Sequence, residues 1–230
     1  MLKIAHDIIY RHPLDKNHRF PMEKYDLIPI QLIKEKTCNP NNFFVPKNLS
    51  DQNVLTTHQK EYYEKLCSLS LSKKEIRPIG FPMSKELIIR EKKIAQGTIE
   101  CSDFSINNGI SMNIAGGTHH AFYDKGEGFC MLNDQAIAAN YLLNKSFIKK
   151  ILIIDLDVHQ GNGTASIFKN NPNVFTLSFH GQKNYPFRKE NSDLDFGFDD
   201  FTNDAFYLKK LKQFFLELFL DLQIMVQCIS

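Results

Sequence analysis

Apolar positions change rhythm along this chain. From His58 to about Leu69 they recur at helical spacing, with Tyr62, Leu66 and Leu69 on one face and Thr57 placed to cap the first turn. Lys85 to about Glu100 repeats the pattern through Leu87, Ile88 and Ile94. Asn133 to Asn144 is apolar nearly all round (Ala136, Ile137, Ala139, Tyr141, Leu143), which predicts a buried helix. Then Ile151-Leu152-Ile153-Ile154 runs unbroken and β-branched, as in a strand buried on both faces of a parallel sheet, and Val174 to Phe179 is a second such run. A Gly-rich turn and a helix around Thr164 to Lys169 separate them. Strand, turn, helix, strand is a βαβ unit and predicts an α/β fold. Asp204 to about Asp221 reads as a long amphipathic helix, followed by the apolar run Ile224 to Ile229. The first ~55 residues, rich in Pro, Asn and His, read as loops with short helices after a short strand over Leu2 to Ala5. With no internal repeat and no low-complexity linker, one domain is expected over 1–230.

Composition narrows the class. Hydrophobic residues at 43% and charged residues at 23% are the balance of a globular protein with a buried core. A net charge of +2 is too near neutral for bulk phosphate binding, so no direct nucleic-acid role is expected. The five cysteines are scattered and form no C-x-x-C pair, which fits reduced thiols and a cytoplasmic setting better than a disulfide framework. Met1 to Asp7 lacks the apolar stretch of a signal peptide. Glu217 and Asp221 interrupt the most apolar helix, so no membrane span is expected.

Two clusters carry chemistry. In Ile153 to Gly163, Asp155, Asp157 and His159 alternate with Leu156 and Val158. On an extended chain residues two apart share a side, so three polar groups would face one way where the strand ends. Carboxylate and imidazole two residues apart can reach one metal ion, Zn²⁺ or alternatively Fe²⁺. The competing reading is that Asp155 and Asp157 only accept turn hydrogen bonds. Upstream, Gly116-Gly117-Thr118-His119-His120-Ala121 places two histidines after a Gly-Gly turn, where a buried imidazole beside a carboxylate is a candidate acid/base.

Gly116 to Ala121, Gly128 to Asp134 and Asp155 to Gly163 together resemble the three core motifs of the histone deacetylase family. His12-Pro13, His18-Arg19-Phe20-Pro21-Met22, Lys24-Tyr25 and Gly181 to Arg188 resemble its class IV branch. The resemblance implies an arginase/deacetylase-like three-layer α/β fold, a parallel sheet flanked by helices. It implies zinc-dependent hydrolysis of the amide of an acyl-lysine protein or peptide, or of an acylated small amine. Residue by residue, Asp157 and His159 match two zinc ligands, and His120 the general base and acid. His119 matches its electrostatic support, and Asp155 the carboxylate that orients His119. Asp155, Asp157, His159, Ser178 and Phe179 match the shell of a structural K⁺, and Gly128, Phe129 and Tyr185 the acyl-lysine channel. Asn162 stands where other classes use Asp. A neutral amide stabilises an imidazolium less than a carboxylate does, so His120 is expected to be less basic. An arginase-type two-metal site would need a carboxylate at position 161, which is Gly161.

The family also uses a third ligand, an Asp in a G-x-D turn after a later strand, and a tyrosine near a Gly-rich segment. No carboxylate after His180 is expected to stand in a matching turn and no tyrosine in a matching Gly-rich segment, and Ile224 to Ile229 resembles the start of the strand that leads into that turn. The C-terminal strands are accordingly expected to be missing, leaving a sheet edge for a complementing chain. The chain is expected to be weakly active or inactive alone. The alternative is a truncated relative that binds without catalysis, or has no function. Asp193, Asp195, Asp199 and Asp200 are expected to be solvated loop residues.

Overall fold

Chain contacts divide the molecule into two compact units, residues 1–142 and 143–230. The computed structural model describes residues 2–222, with helix side chains through residue 216. The run Ile224 to Ile229 lies outside the described residues.

In the first unit a short central strand, β1 (Lys3–Ala5), lies parallel to β2 (Phe43–Phe44) on one side and β3 (Ser111–Asn113) on the other. Around it come α1 (Lys24–Lys34), α2 (Asp51–Leu55), α3 (Lys60–Cys67), α4 (Lys73–Ile79) and α5 (Lys85–Asn108). α5 packs on β1 and β3 and starts where Ser84 accepts a hydrogen bond from the Leu87 amide. It runs eight residues past the expected end, because Cys101 and Ser102 continue its buried face. α3 begins two residues later than expected and Thr57 does not cap it. Its hydroxyl instead donates to the Ala136 carbonyl. Two charges lie inside this core. The Arg90 guanidinium donates to the Tyr10 carbonyl at 2.6 Å, sits 5.0 Å over the Tyr25 ring and pairs with Glu91. Burial nonetheless raises the Glu91 pKa, since the charged form loses its water. α6 (Asp134–Leu143) is buried on nearly every side, as its all-round apolar pattern predicts.

In the second unit β4 (Ile151–Asp155), β5 (Val174–Gly181) and β6 (Leu194–Phe198) form a parallel sheet in that order. Every residue of β4 is buried. α7 (Asn162–Phe168) makes the crossover from β4 to β5 and begins two residues before the expected start. α8 (Asp204–Leu222) lays Tyr207, Leu211, Phe214 and Phe215 on Leu177, Phe179 and Phe198. β6 corrects the sequence reading of a polar loop. Asp193 accepts hydrogen bonds from the amide and hydroxyl of Thr176, at 2.7 and 2.9 Å, and Asp195 pairs in register with Ser178. No described helix is long and apolar enough to cross a membrane.

Candidate active site

The expected site residues fall in both units. In the second, β4 ends at Asp155, and residues 157–159 form a bend rather than the extended alternation expected. The three side chains are instead organised by a ladder of turns. Asp155 Oδ1 accepts from the Asp157 amide at 3.0 Å, and Asp157 Oδ1 accepts from the His159 amide at 2.7 Å. The turn-bonding reading of these aspartates is therefore realised. It does not displace the metal reading, because a carboxylate has about four lone-pair sites. Asp157 Oδ1 and His159 Nδ1 also stand 3.0 Å apart, with both side chains partly open to solvent. Two donors at about 2.1 Å from one ion would be separated by a similar span, so the pair fits two corners of a zinc site. Among the described residues, no group of three or more His, Cys, Asp or Glu is arranged to hold a metal.

Other expected residues surround this turn. Ser178 pairs in register with Asp155 across β4 and β5. Phe179 is buried among Phe196, Phe198 and Phe214. Asn162 is buried at the first turn of α7. The Tyr185 ring meets His159 edge-on at 6.0 Å. The sequence reading missed His180, a buried imidazole whose Nδ1 lies 3.1 Å from Ser178 Oγ and 3.8 Å from Asp195 Oδ1. Burial lowers its pKa, and Asp195 partly restores it.

In the first unit, His119 and His120 are buried with ring centroids 4.1 Å apart. Gly128 has φ +55° and lies flat on His120, so a Cβ there would stand 2.5 Å from His120 Cδ2. Phe129, at φ +67°, packs with Phe20 and Phe81 at centroid distances of 5.1 Å. The Arg19 guanidinium lies 4.8 Å over its face, so the N-terminal motif buttresses this ring.

Two residues outside the expected set hold the histidine turn. Asp134, at the start of α6, is buried and accepts from the amides of Gly117 and Thr118 and the hydroxyls of Thr118 and Thr98. His58 is buried with its Nδ1 2.9 Å from the Phe122 carbonyl, while its Nε2 accepts from the Asn133 amide at 2.9 Å. That geometry assigns the proton to Nδ1 and ties the segment after His120 to the one before α6. A second proton on Nε2 would face another N–H, and burial pulls the pKa of His58 down to about 4. Between pH 6.5 and about 4 the unfolded chain binds a proton that the folded chain refuses. Stability is therefore expected to fall as the pH drops through this window. Thermal melts across it should show a steeper pH dependence for the native chain than for His58→Gln, and equal slopes would contradict the assignment.

Comparison with known proteins places these residues in a family. An uncharacterized protein of Picosynechococcus sp. is 40% identical over 88% of this chain and 67% of its own length. Histone deacetylase 2 of Arabidopsis thaliana is 26% identical over 76% of this chain and 46% of its own. The crystal structure of an HDAC homolog complexed with SAHA superposes with a TM-score of 0.80 at 22% identity, covering 96% of this chain and 65% of that one, and shows the shared fold. The chain thus spans about half to two thirds of the length of these relatives. The model of the histone deacetylase domain matches residues 18–221, nearly the whole sequence, and the chain belongs to the histone deacetylase family.

Proposed function

We propose that this chain carries deacetylase chemistry of the class IV type, directed at an acyl-lysine peptide or a related acylamine. The observation that carries the proposal is the Asp157–His159 donor pair, 3.0 Å apart at the carboxyl end of β4. Asp157 and His159 would hold zinc. Zinc would supply Lewis-acid polarisation of an amide carbonyl. His120 takes a proton from the attacking water and returns it to the leaving amine. His119, its ring centroid 4.1 Å from that of His120, gives electrostatic support. Asp155 and Ser178, paired across two strands, would contribute to the shell of a structural potassium ion. SAHA in the homologous structure and the name of the Arabidopsis relative support the substrate class.

Zinc content and hydrolysis of a fluorogenic acetyl-lysine peptide test the reading together. With two protein ligands among the described residues, the chain is expected to bind zinc weakly, in excess metal, and to release acetate slowly. Asp157→Ala or His159→Ala should abolish both. Absence of zinc together with absence of turnover sinks the proposal. Acetyl-dependent peptide binding without turnover would support the non-catalytic alternative.

A further inference from the structure

The twelve residues 182–193 cross from β5 to the parallel strand β6 without a helix, and the structure spends them on a braced loop. Both ends are tied to the turn that holds Asp157 and His159. The Gly181 amide donates to the Val158 carbonyl at 2.9 Å. At the other end, buried Gln160 pairs with the Glu190 backbone like a short strand, its Nε2 donating to the Glu190 carbonyl at 2.8 Å and its Oε1 accepting from the Glu190 amide at 2.9 Å. Gln160 Nε2 also donates to Asp195 Oδ1 at 2.8 Å. Inside the loop, Lys189 Nζ donates to the carbonyls of Asn184 and Pro186, at 2.7 and 2.6 Å. The brace places the Tyr185 ring beside His159. Two residues on, it holds Phe187 in solvent, 92% exposed. Val158, between the two candidate ligands, is 52% exposed.

A large apolar side chain fixed in water beside a reactive turn is preorganised for contact, because the loop needs little further ordering on binding. We propose that Phe187 is a specificity-determining residue: it binds an apolar group, aromatic or branched aliphatic, next to the acylated amine of the substrate, and Gln160 is the positioning residue that holds it there. The inference rests on the deacetylase reading and adds the kind of substrate that site selects. Burying about half of an aromatic ring corresponds to roughly a tenfold gain in affinity.

The test is fluorescence polarisation with the full chain in excess zinc. Two labelled peptides each carry one acetyl-lysine and differ only in the flanking residue, phenylalanine or glycine, with unacetylated versions as controls. The native chain is expected to bind the phenylalanine-flanked peptide about tenfold more tightly. Phe187→Ala should bring the two affinities together without changing the glycine-flanked one, and Phe187→Leu should keep most of the preference. Gln160→Ala should lose the preference although Phe187 is intact. Phe187→Ala removes only exposed surface, so its melting temperature should match the native chain. Acetyl-dependent binding with no flank preference, or with a preference that survives Phe187→Ala, overturns this proposal alone. Binding that does not depend on the acetyl group overturns the deacetylase reading with it.

Discussion

Gly128→Ala is expected to lower the proposed acetyl-lysine hydrolysis by about 10²-fold without affecting the proposed zinc site. The new methyl would stand 2.5 Å from His120 Cδ2, and ordinary contact needs roughly 1 Å more. The imidazole must move by about that amount, and a displacement of that size is enough to cost two orders of magnitude in a positioned acid/base. The backbone adds strain, because φ at this position is +55°, a region that suits glycine. His120→Ala sets the reference, since loss of a general base typically costs ~10²–10⁴-fold. If Gly128→Ala retains native rates while His120→Ala does not, the ring is free to shift and the clamp is not functional.

Asp134→Ala is expected to destabilise the fold by about 4 kcal/mol, read as a lowered urea midpoint. The carboxylate gathers the amides of Gly117 and Thr118 and the hydroxyls of Thr98 and Thr118 in a buried space. Removing it leaves those donors without an acceptor, at about 1–3 kcal/mol each when no water replaces it. Set against a total stability of roughly 5–15 kcal/mol, the loss is a large share. Asp134→Asn keeps one acceptor oxygen and should cost about half as much. A midpoint unchanged by Asp134→Ala would mean that water satisfies the turn.

Elements whose burial is continuous were legible in the sequence. β4 is apolar up to Asp155 and α6 is buried on nearly every side, and their observed limits differ from the expected ones by no more than a residue at either end. β6 was not read as a strand, although Leu194, Phe196 and Phe198 alternate with Asp195 and Gly197, because the run is short, sits among polar residues and is mostly open to solvent. Its pairing with β5 decides it. The chemistry was legible where it is local, in Asp155, Asp157 and His159. Their arrangement was not, since the bend at 157–159 replaces alternation with a ladder of turns. His58 and Asp134 escaped notice for a different reason. The partners of His58 lie 64 and 75 residues away, and those of Asp134 in other elements, so only the folded chain reveals what they hold.

The first unit's sheet has its earliest strand in the middle. Lys3 to Ala5 pair with residues 43–44 and with residues 111–113, so both partners of this strand lie far along the chain from it. Such topology delays folding, because loop closure is unfavourable until the distant contacts form. On the ribosome β1 emerges before its partners and has no full set of them until β3 has left the exit tunnel. Over that interval its backbone groups are an open template for other chains. The β4–β5–β6 sheet, built from successive strands, carries no such delay. Chaperone dependence during synthesis should therefore concentrate in the first 113 residues.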